Sequence, residues 1–338
     1  MTRFSASLAA LMTATVATTA AAEGELNLYS SRHYDTDDQL YAEFEAATGI
    51  TINRIEGKAD ELMARMQAEG ANSPADILIT VDTSRLARAK EMGLLQSIDS
   101  ETLEARIPGY LQDADNQWFG ISQRSRIIYY DKNDVSEPPM NYADLADPKY
   151  KGLVCIRSSS NTYNQTLLAS IVTHDGEDAA RAWAQGVVDN MARAPQGGDT
   201  DQLRGIVSGE CEISVSNTYY FARAIRKDVK GVSDSIDMIG WVFPDQDGRG
   251  AHMNLSGGGV AAHAKNKENA IKFLEYLTSD QAQVYFSHGN DEFPAVAGVE
   301  LAPSVSKLGT FKADEIDLSE VAKNIPVAQK IFNEVGWK

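Results

Sequence analysis

The hydrophobic and polar positions in the first hundred residues alternate between two repeating patterns. Leu26 and Leu28 are separated by a polar residue, which predicts a strand, while Leu40 and Phe44 lie one turn apart on a predicted helix that ends at Gly49. The alternation continues as a strand at 50–55, a helix with Leu62, Met63 and Met66, a strand at 77–81 and a helix with Leu86 and Met92. This order predicts a mostly parallel α/β sheet with helices on its faces.

A second block of the same kind begins near residue 153. It has a strand at 153–156, a helix at 165–173 and a strand at 211–215. Because a chain of 338 residues exceeds the size at which single cores usually stop growing, we expect two lobes.

Two apolar runs are candidates for the connections between these lobes. The run at 119–130 contains Arg124 and Arg126 and predicts a strand that crosses from the first lobe to the second; the run at 238–243, before Pro244, predicts the strand that returns. Paired crossing strands permit hinge closure around a ligand. The predicted fold is therefore α/β with two lobes, mostly parallel sheets and two crossing strands at the hinge.

The amino terminus has the pattern of a secretory signal peptide. Arg3 precedes an apolar stretch rich in small residues that closes in three alanines at 20–22. We expect cleavage after residue 22 and export to the periplasm, without a lipid anchor because no cysteine lies near that position. The predicted domain bounds are 1–22 for the signal peptide, 23–124 for the first lobe, 125–236 for the second, and 237–338 for the return to the first lobe plus the C-terminal helices.

Helical spacing dominates the C-terminal third of the chain. Apolar residues between 271 and 277 form one stripe, and Thr278 with Gln281 predicts a capping box that opens the next helix. No internal repeat or low-complexity tract is present in the sequence.

The charge excludes one class of partner. The chain carries 48 acidic and 31 basic residues, a formal net charge of −17. A protein this acidic repels the phosphate backbone that supplies most of the affinity for nucleic acids. We therefore expect no nucleic-acid partner. Separately, we expect the protein to be a monomer.

The two cysteines, Cys155 and Cys211, predict one disulfide in an exported chain, although sequence alone also permits two buried thiols. Each cysteine precedes a tyrosine, Tyr163 or Tyr219, by eight positions. If the two strands are neighbours and bridged, the loops that follow them are held side by side.

Tyrosines follow three of the predicted strands. Tyr34 follows the first strand, Tyr163 the strand at 153–156, and Tyr219 and Tyr220 the strand at 211–215. Ligands of open α/β sheets bind at the carboxyl ends of strands, so we expect these four phenols to face one cleft.

Phenol oxygens suit a small, highly charged cation such as ferric iron, whose charge lowers the phenol pKa from about 10. Calcium and magnesium usually take carboxylates and carbonyls, and zinc prefers cysteine and histidine. Arg223, one turn after Tyr219, is placed to offset the residual negative charge of four phenolates. His33 is either a further ligand or a supporting or core residue.

Two other functions fit the same residues. The tyrosines are also suited to be stacking walls for an organic solute, or ligands in an exported iron oxygenase, which would need open coordination positions. The run Gly257–Gly259 lacks the Lys-Ser/Thr of a phosphate loop and predicts a turn or tight packing instead. No HExxH or GxSxG motif occurs, so the sequence favours a binding protein over an enzyme.

The segments LYSSRHYDTD at 28–37, SPADILITVD at 73–82, SSSNTYN at 158–164 and SNTYYFAR at 216–223 resemble the periplasmic ferric-iron-binding proteins of ABC importers, in particular the tyrosine-rich, cyanobacterial-type branch. The resemblance extends over nearly the whole chain after the signal peptide. It implies delivery of iron to an inner-membrane permease. It also implies that the iron ligands are Tyr34, Tyr163, Tyr219 and Tyr220, with His33 as a fifth and Arg223 as a supporting cation.

The chain departs from the best-known ferric-binding relatives at two positions. Those relatives use a carboxylate after the third strand together with a bound anion such as phosphate. Here Val81 takes the place of the carboxylate, and Tyr163 takes the place of the anion. The departure implies that no bound anion is required and that ferrous iron is a second candidate ion.

Overall fold

A computed structural model describes residues 24–32 and 34–338. The predicted signal peptide lies outside the described residues. The strands are β1 (Gly24–Ser30), β2 (Ile50–Glu56), β3 (Ile77–Thr80), β4 (Phe119–Asp131), β5 (Val154–Cys155), β6 (Ile213–Asn217), β7 (Ile239–Val242), β8 (Met253–Val260) and β9 (Phe293–Pro294).

Helices occupy most of the remaining chain. The α-helices are α1 (Asp37–Thr48), α2 (Ala59–Glu69), α3 (Thr83–Glu91), α4 (Glu101–Arg106), α5 (Thr162–Asp175), α6 (Glu177–Asp189), α7 (Asp199–Val207), α8 (Thr218–Arg226), α9 (Lys267–Leu277), α10 (Asp280–Asn290), α11 (Pro303–Ser306), α12 (Leu318–Lys323) and α13 (Ile325–Glu334). Short 3-10 helices lie at Gly70–Asn72, Gly109–Leu111, Ala143–Ala146, Pro148–Tyr150 and Ser233–Met238. Among the described helices, none combines the length and apolar character that a membrane crossing needs.

The first lobe is built on the alternating elements that the sequence predicts. Strand β1 pairs in parallel with β2 and β3, and β3 pairs with β8. Helix α1 ends at Gly49, whose φ of 73° is the left-handed conformation that glycine adopts without steric cost. Helices α1, α2, α3 and α9 cover the sheet with one apolar core that includes Leu28, Phe44, Ile79 and Phe273.

The long strand β4 joins the two lobes, as predicted. Its residues 119–125 pair with β8 in the first lobe, and Arg126–Tyr130 pair with β6 in the second. The apolar core divides at the same strand, because Phe119 and Ile121 belong to the first core while Ile127 and Ile128 pack into the second lobe. The α/β class and the two-lobe organisation are therefore confirmed.

The return connection is not where the sequence predicts it. Strand β7, which occupies the predicted second crossing, pairs only with the second-lobe half of β4 at Ile128–Asp131. It ends at Val242 because Pro244 lacks the N–H that a continuing strand needs. The chain then turns at Asp245, whose φ is 57°, and re-enters the first lobe as β8 from Met253. The second crossing is thus the start of β8.

The sheet is mixed, which corrects the expectation of mostly parallel strands. Among the described residues, three strand pairings are parallel and five are antiparallel. The antiparallel pairings all involve β4 or β8, because these two strands carry the chain between the lobes in opposite directions. The parallel pairings are those of the alternating strand–helix units.

The C-terminal helices pack mainly on the second lobe. Helix α13 contacts α5 and α6, and α11 contacts α8. Helix α12 lies between the lobes, since it contacts α3 of the first and α5 of the second. The helix α10 begins one residue later than the predicted capping box, with Ser279 as the residue whose hydroxyl accepts from the Ala282 N–H. The residue bounds predicted for the lobes stay a prediction.

The glycine run lies inside a strand rather than in a turn. Gly257, Gly258 and Gly259 belong to β8, and a Cβ at Gly259 would lie 2.3 Å from the Gln117 carbonyl oxygen. Tight packing of β8 against its neighbours therefore explains these glycines.

The structure joins Cys155 and Cys211 in a disulfide, and no free cysteine remains in the described part of the chain. Strands β5 and β6 are parallel neighbours, but Cys155 lies opposite Ser214 rather than opposite its disulfide partner. The bridge thus connects the end of β5 to the residues that precede β6, and it fixes the two strands whose ends carry Tyr163 and Tyr219.

Replacing both cysteines by serine is expected to lower the free energy of unfolding by about 2–4 kcal/mol, because the bridge closes a long loop in the unfolded chain. Urea unfolding of the oxidised protein and of the double variant measures the difference. Reduction of the wild-type protein with dithiothreitol is the matched control and should reproduce the loss. Equal midpoints for all three samples would contradict the expectation.

Candidate metal centre

Three of the four predicted tyrosines meet in the second lobe. The hydroxyl of Tyr219 donates a hydrogen bond to the Tyr163 hydroxyl at 3.2 Å, and the rings of Tyr219 and Tyr220 pack with their centroids 4.3 Å apart. Tyr219 is the most buried of the three, with 3% of its surface exposed. Phenol oxygens from two separate strand–helix units are therefore adjacent.

These tyrosines lie in the first turns of helices rather than in the loops that the sequence suggests. Tyr163 is the second residue of α5, and its backbone N–H donates a hydrogen bond to the Asn161 side-chain oxygen at 3.0 Å. Tyr219 and Tyr220 follow Thr218 at the start of α8. Both positions therefore lie at helix N-termini, where the backbone N–H groups carry the partial positive charge of the helix.

Tyr34 approaches the same cluster from the first lobe. It follows β1 and is close enough to the cluster that a charge on Tyr163 raises the pKa of Tyr34, and a charge on Tyr34 raises the pKa of Tyr219. The Arg32 guanidinium lies 4.8 Å from the centre of the Tyr34 ring. One tyrosine of the first lobe therefore faces three of the second, whereas His33 lies outside the described residues.

Burial favours the neutral form of three of the four phenols, those of Tyr34, Tyr219 and Tyr220. Burial raises the pKa of Tyr219 well above its ordinary value. Burial, assisted by the Glu292 carboxylate, raises the pKa of Tyr34 to about 12. Burial, assisted by Asp199, also raises the pKa of Tyr220. A cation that binds here has to displace protons from these hydroxyls.

Two buried arginines of β4 lie beneath the cluster. Arg124 and Arg126 are two positions apart, so their side chains leave the same face of the strand, one on each side of the crossing point. The Arg124 guanidinium lies 5.8 Å from the centre of the Tyr163 ring, donates to the Ser256 hydroxyl at 3.0 Å and also donates to the Val81 carbonyl. Residue 81, where a carboxylate was expected in relatives, thus contributes a backbone oxygen to an arginine.

In the first lobe, buried carboxylates hold the arginine beneath Tyr34. Arg32 forms a two-pronged pair with Asp37 at 2.9 and 3.2 Å and donates to Glu292 at 3.1 Å. Glu292 also lies 3.7 Å from Arg124 and accepts a hydrogen bond from Ser122 at 2.9 Å. Glu292 therefore links the Tyr34 segment to the crossing strand.

In the second lobe, Asp199 is the buried carboxylate that pairs with the arginines near the tyrosines, as Glu292 does in the first lobe. It is fully buried and pairs with both Arg126 and Arg157 at 3.0 Å. The Arg157 guanidinium lies 5.5 Å from the centre of the Tyr163 ring. Asp199 and Glu292 could not be predicted as parts of the site, because neither follows a strand that carries one of these tyrosines. The sign present in the sequence is an arginine inside an apolar strand, which needs a carboxylate partner when it is buried.

Arg223 lies beside the tyrosine pair, where the sequence placed it. Its guanidinium is 5.5 Å from the centre of the Tyr219 ring and 5.9 Å from that of Tyr220. Its Nε is also 3.8 Å from the buried Asp291 carboxylate. The role of Arg223 as a supporting cation stays a prediction.

The arrangement provides hard oxygen donors that become anionic only when a strong positive charge is present. Arginines on several sides, most of them already paired with buried carboxylates, would offset part of the negative charge that four phenolates accumulate. Within residues 24–32 and 34–338, no group of three histidine, cysteine, aspartate or glutamate side chains gathers in a metal-binding arrangement. The phenol cluster is thus the candidate metal centre of the described chain.

Comparison with known proteins places the chain in a family. The model of the bacterial extracellular solute-binding protein family matches residues 39–313. Iron uptake protein A1 of Synechocystis sp. is 49% identical over 326 residues, which are 96% of this chain and 91% of that protein. A Trichodesmium structure, described as IdiA or FutA in complex with iron and citrate ligands, superposes with a TM-score of 0.90 at 50% identity and covers 93% of this chain and 100% of that one.

A more distant relative carries a similar description. The major ferric iron-binding protein of Neisseria meningitidis is 26% identical over 333 residues, which are 97% of this chain and 98% of that protein. The resemblance inferred from the tyrosine segments is therefore confirmed. Because the family model matches most of the chain and a relative is 49% identical over nearly its whole length, the chain belongs to the bacterial extracellular solute-binding protein family.

Proposed function

We propose that this chain is a periplasmic iron-binding protein that captures ferric iron between its lobes and delivers it to the permease of an ABC transporter in the inner membrane. Iron is the cargo and not a resident cofactor, and the protein acts as a monomeric receptor without an enzymatic activity. The relatives described as iron uptake or ferric iron-binding proteins support this proposal.

The observation that carries the proposal is the meeting of phenols from both lobes. Tyr163, Tyr219 and Tyr220 supply three oxygens from the second lobe, and Tyr34 supplies a fourth from the first. His33 is a proposed fifth ligand. Since these residues come from both sides of the crossing strand, an ion bound to all of them favours the closed arrangement over an open one.

The charges around the phenols select for a trivalent ion. Burial opposes the ionisation of Tyr34, Tyr219 and Tyr220, so only a strong local positive charge pulls the protons off. Ferric iron leaves less negative charge uncompensated than ferrous iron does. We therefore propose ferric iron as the cargo and Arg223 as the cation that balances the remainder; Tyr163 removes the need for a bound anion.

The purified metal-free protein is expected to turn orange to red when it is titrated with ferric citrate, because phenolate-to-iron charge transfer absorbs visible light. The absorbance should saturate at one iron per chain and persist after desalting. Tyr129→Phe is a matched control, since Tyr129 is a buried second-lobe tyrosine whose hydroxyl has no hydrogen-bond partner among the described residues.

A colourless mixture from which desalting removes the iron would contradict the proposal. Oxygen consumption with catechol by the iron-loaded protein would instead identify an oxygenase. A stoichiometric organic molecule in mass spectra of the metal-free protein would identify an organic-solute receptor. The same titration with ferrous iron under anaerobic conditions measures the preference between the two ions.

A further inference from the structure

Asp199 is a buried carboxylate far in sequence from every proposed iron ligand. Its Oδ2 accepts hydrogen bonds from the Asn217 backbone N–H at 2.9 Å and from Arg126 at 3.0 Å, and its Oδ1 accepts from Arg157 at 3.0 Å. We propose that Asp199 is a positioning residue of the iron site, which sets the placement of Tyr163 relative to the Tyr219–Tyr220 pair. This inference rests on the proposed function.

The connection to the tyrosine pair runs through the start of α8. Asn217 is the last residue of β6 and immediately precedes that helix. Its backbone N–H is held by Asp199, and its side-chain oxygen accepts from Arg126 at 3.1 Å. Both contacts fix the end of β6, so they fix the direction in which the first turn of α8 presents Tyr219 and Tyr220.

The connection to Tyr163 runs through two arginines. Arg157, paired with Asp199, lies 5.5 Å from the centre of the Tyr163 ring. Arg126 donates to the Asn164 side-chain oxygen at 2.7 Å, and the Asn164 amide donates to the Arg157 carbonyl at 2.8 Å. Arg157 and Asn164, which flank Tyr163 in sequence, are therefore both connected to Asp199. Arg157 binds it directly, and Asn164 is connected to it through Arg126.

Asp199 also limits the positive charge beneath the phenols. Arg126 and Asp199 are both buried, and Arg157 is largely so. Without the carboxylate, the two guanidinium groups would repel each other and lose their shared partner, so both would move. Because Arg157 contacts Tyr163, that movement reaches a proposed ligand. Outer-shell partners of metal ligands commonly change metal affinity by about 10–100-fold when they are replaced.

The test is Asp199→Asn, which keeps the shape of the side chain and removes its charge. We expect iron affinity, measured by competition with citrate, to fall about 10–100-fold and the charge-transfer band to change position. Asp201→Asn is the matched control, because Asp201 lies on the same turn of α7 but pairs with the half-exposed Arg204 at 2.6 Å. The control should keep the wild-type band and affinity.

A second variant separates positioning from a general loss of stability. Arg157→Gln removes the ion pair between Arg157 and Asp199, and because the Arg157 side chain is partly exposed, the change is less disruptive to folding. We expect it to shift the band as Asp199→Asn does, and the double variant to add little to either single change. Thermal unfolding of the metal-free proteins measures stability separately.

Three outcomes oppose the inference. An unchanged band and an affinity within about twofold of wild type in Asp199→Asn overturn it. If Asp199→Asn does not fold, a wild-type band in Arg157→Gln overturns it. If the wild-type protein shows no charge-transfer band, the proposed function is overturned and this inference with it. If the wild-type band is present and both variants keep the wild-type band and iron affinity, only this inference is overturned.

Discussion

Replacing Tyr219 by phenylalanine is expected to weaken ferric iron binding by about a thousandfold or more. The substitution keeps the ring that packs against Tyr220 and removes only the oxygen that now donates to Tyr163. A phenolate about 2 Å from a trivalent ion interacts by tens of kcal/mol even at an effective dielectric constant of about 20, and a water that replaces it carries no net charge. Competition with a chelator of known affinity measures the loss.

The expected spectroscopic result is a weaker charge-transfer band at a changed position. Tyr129→Phe again serves as the control, because it removes a buried hydroxyl from the same lobe that has no hydrogen-bond partner among the described residues, the four tyrosines included. We expect its iron affinity to equal that of the wild type. An affinity of Tyr219→Phe within about threefold of the wild type would show that Tyr219 is not a ligand.

Iron binding is expected to release up to about four protons per ion near neutral pH, one from each phenol. Burial holds the pKa of Tyr219 and Tyr220 above the ordinary value and that of Tyr34 at about 12. These hydroxyls are therefore protonated in the metal-free protein, and binding lowers their pKa. Because the bound state carries fewer protons, affinity rises with increasing pH and falls as the pH decreases.

The proton count is measured by adding ferric citrate to weakly buffered protein in a pH-stat, with a protein-free titration subtracted. Tyr220→Phe should release about one proton fewer, and Tyr129→Phe should match the wild type. Release of fewer than about two protons, or an affinity that does not change between pH 6 and pH 8, would contradict binding by phenolates.

Much of this fold follows from local patterns. The first strand–helix units were predicted because each has its own hydrophobic period, and Gly49 ends α1 where a left-handed residue is needed. The crossing strand β4 was found because its apolar run is long. The prediction that the chain returns through β7 was wrong. The run before Pro244 is apolar, as a crossing strand would be, and only its pairing with β4 shows that it stays in the second lobe.

Part of the candidate site could likewise be predicted from the sequence, and part is visible only in the folded chain. The proximity of the tyrosines could be predicted because residues after strands gather at one edge of a sheet, whereas their role as ligands stays a proposal. The carboxylates beneath them could not be predicted, since Arg32 and Glu292 are 260 positions apart and Arg126 and Asp199 are 73 apart. No periodicity relates such pairs. Only the folded chain shows that the arginines of β4, which interrupt an apolar run, are neutralised by distant partners.

The unequal division of phenols between the lobes has a kinetic consequence. Tyr163, Tyr219 and Tyr220 follow strands of the second lobe, while Tyr34 follows a strand of the first. In the proposed site, separation of the lobes would withdraw Tyr34 and its sequence neighbour His33 from the iron and would leave the ion held by three phenolates. Opening alone would then not liberate the ion, and exchange would proceed associatively, with an incoming chelator or transporter group attacking from the side that Tyr34 vacates.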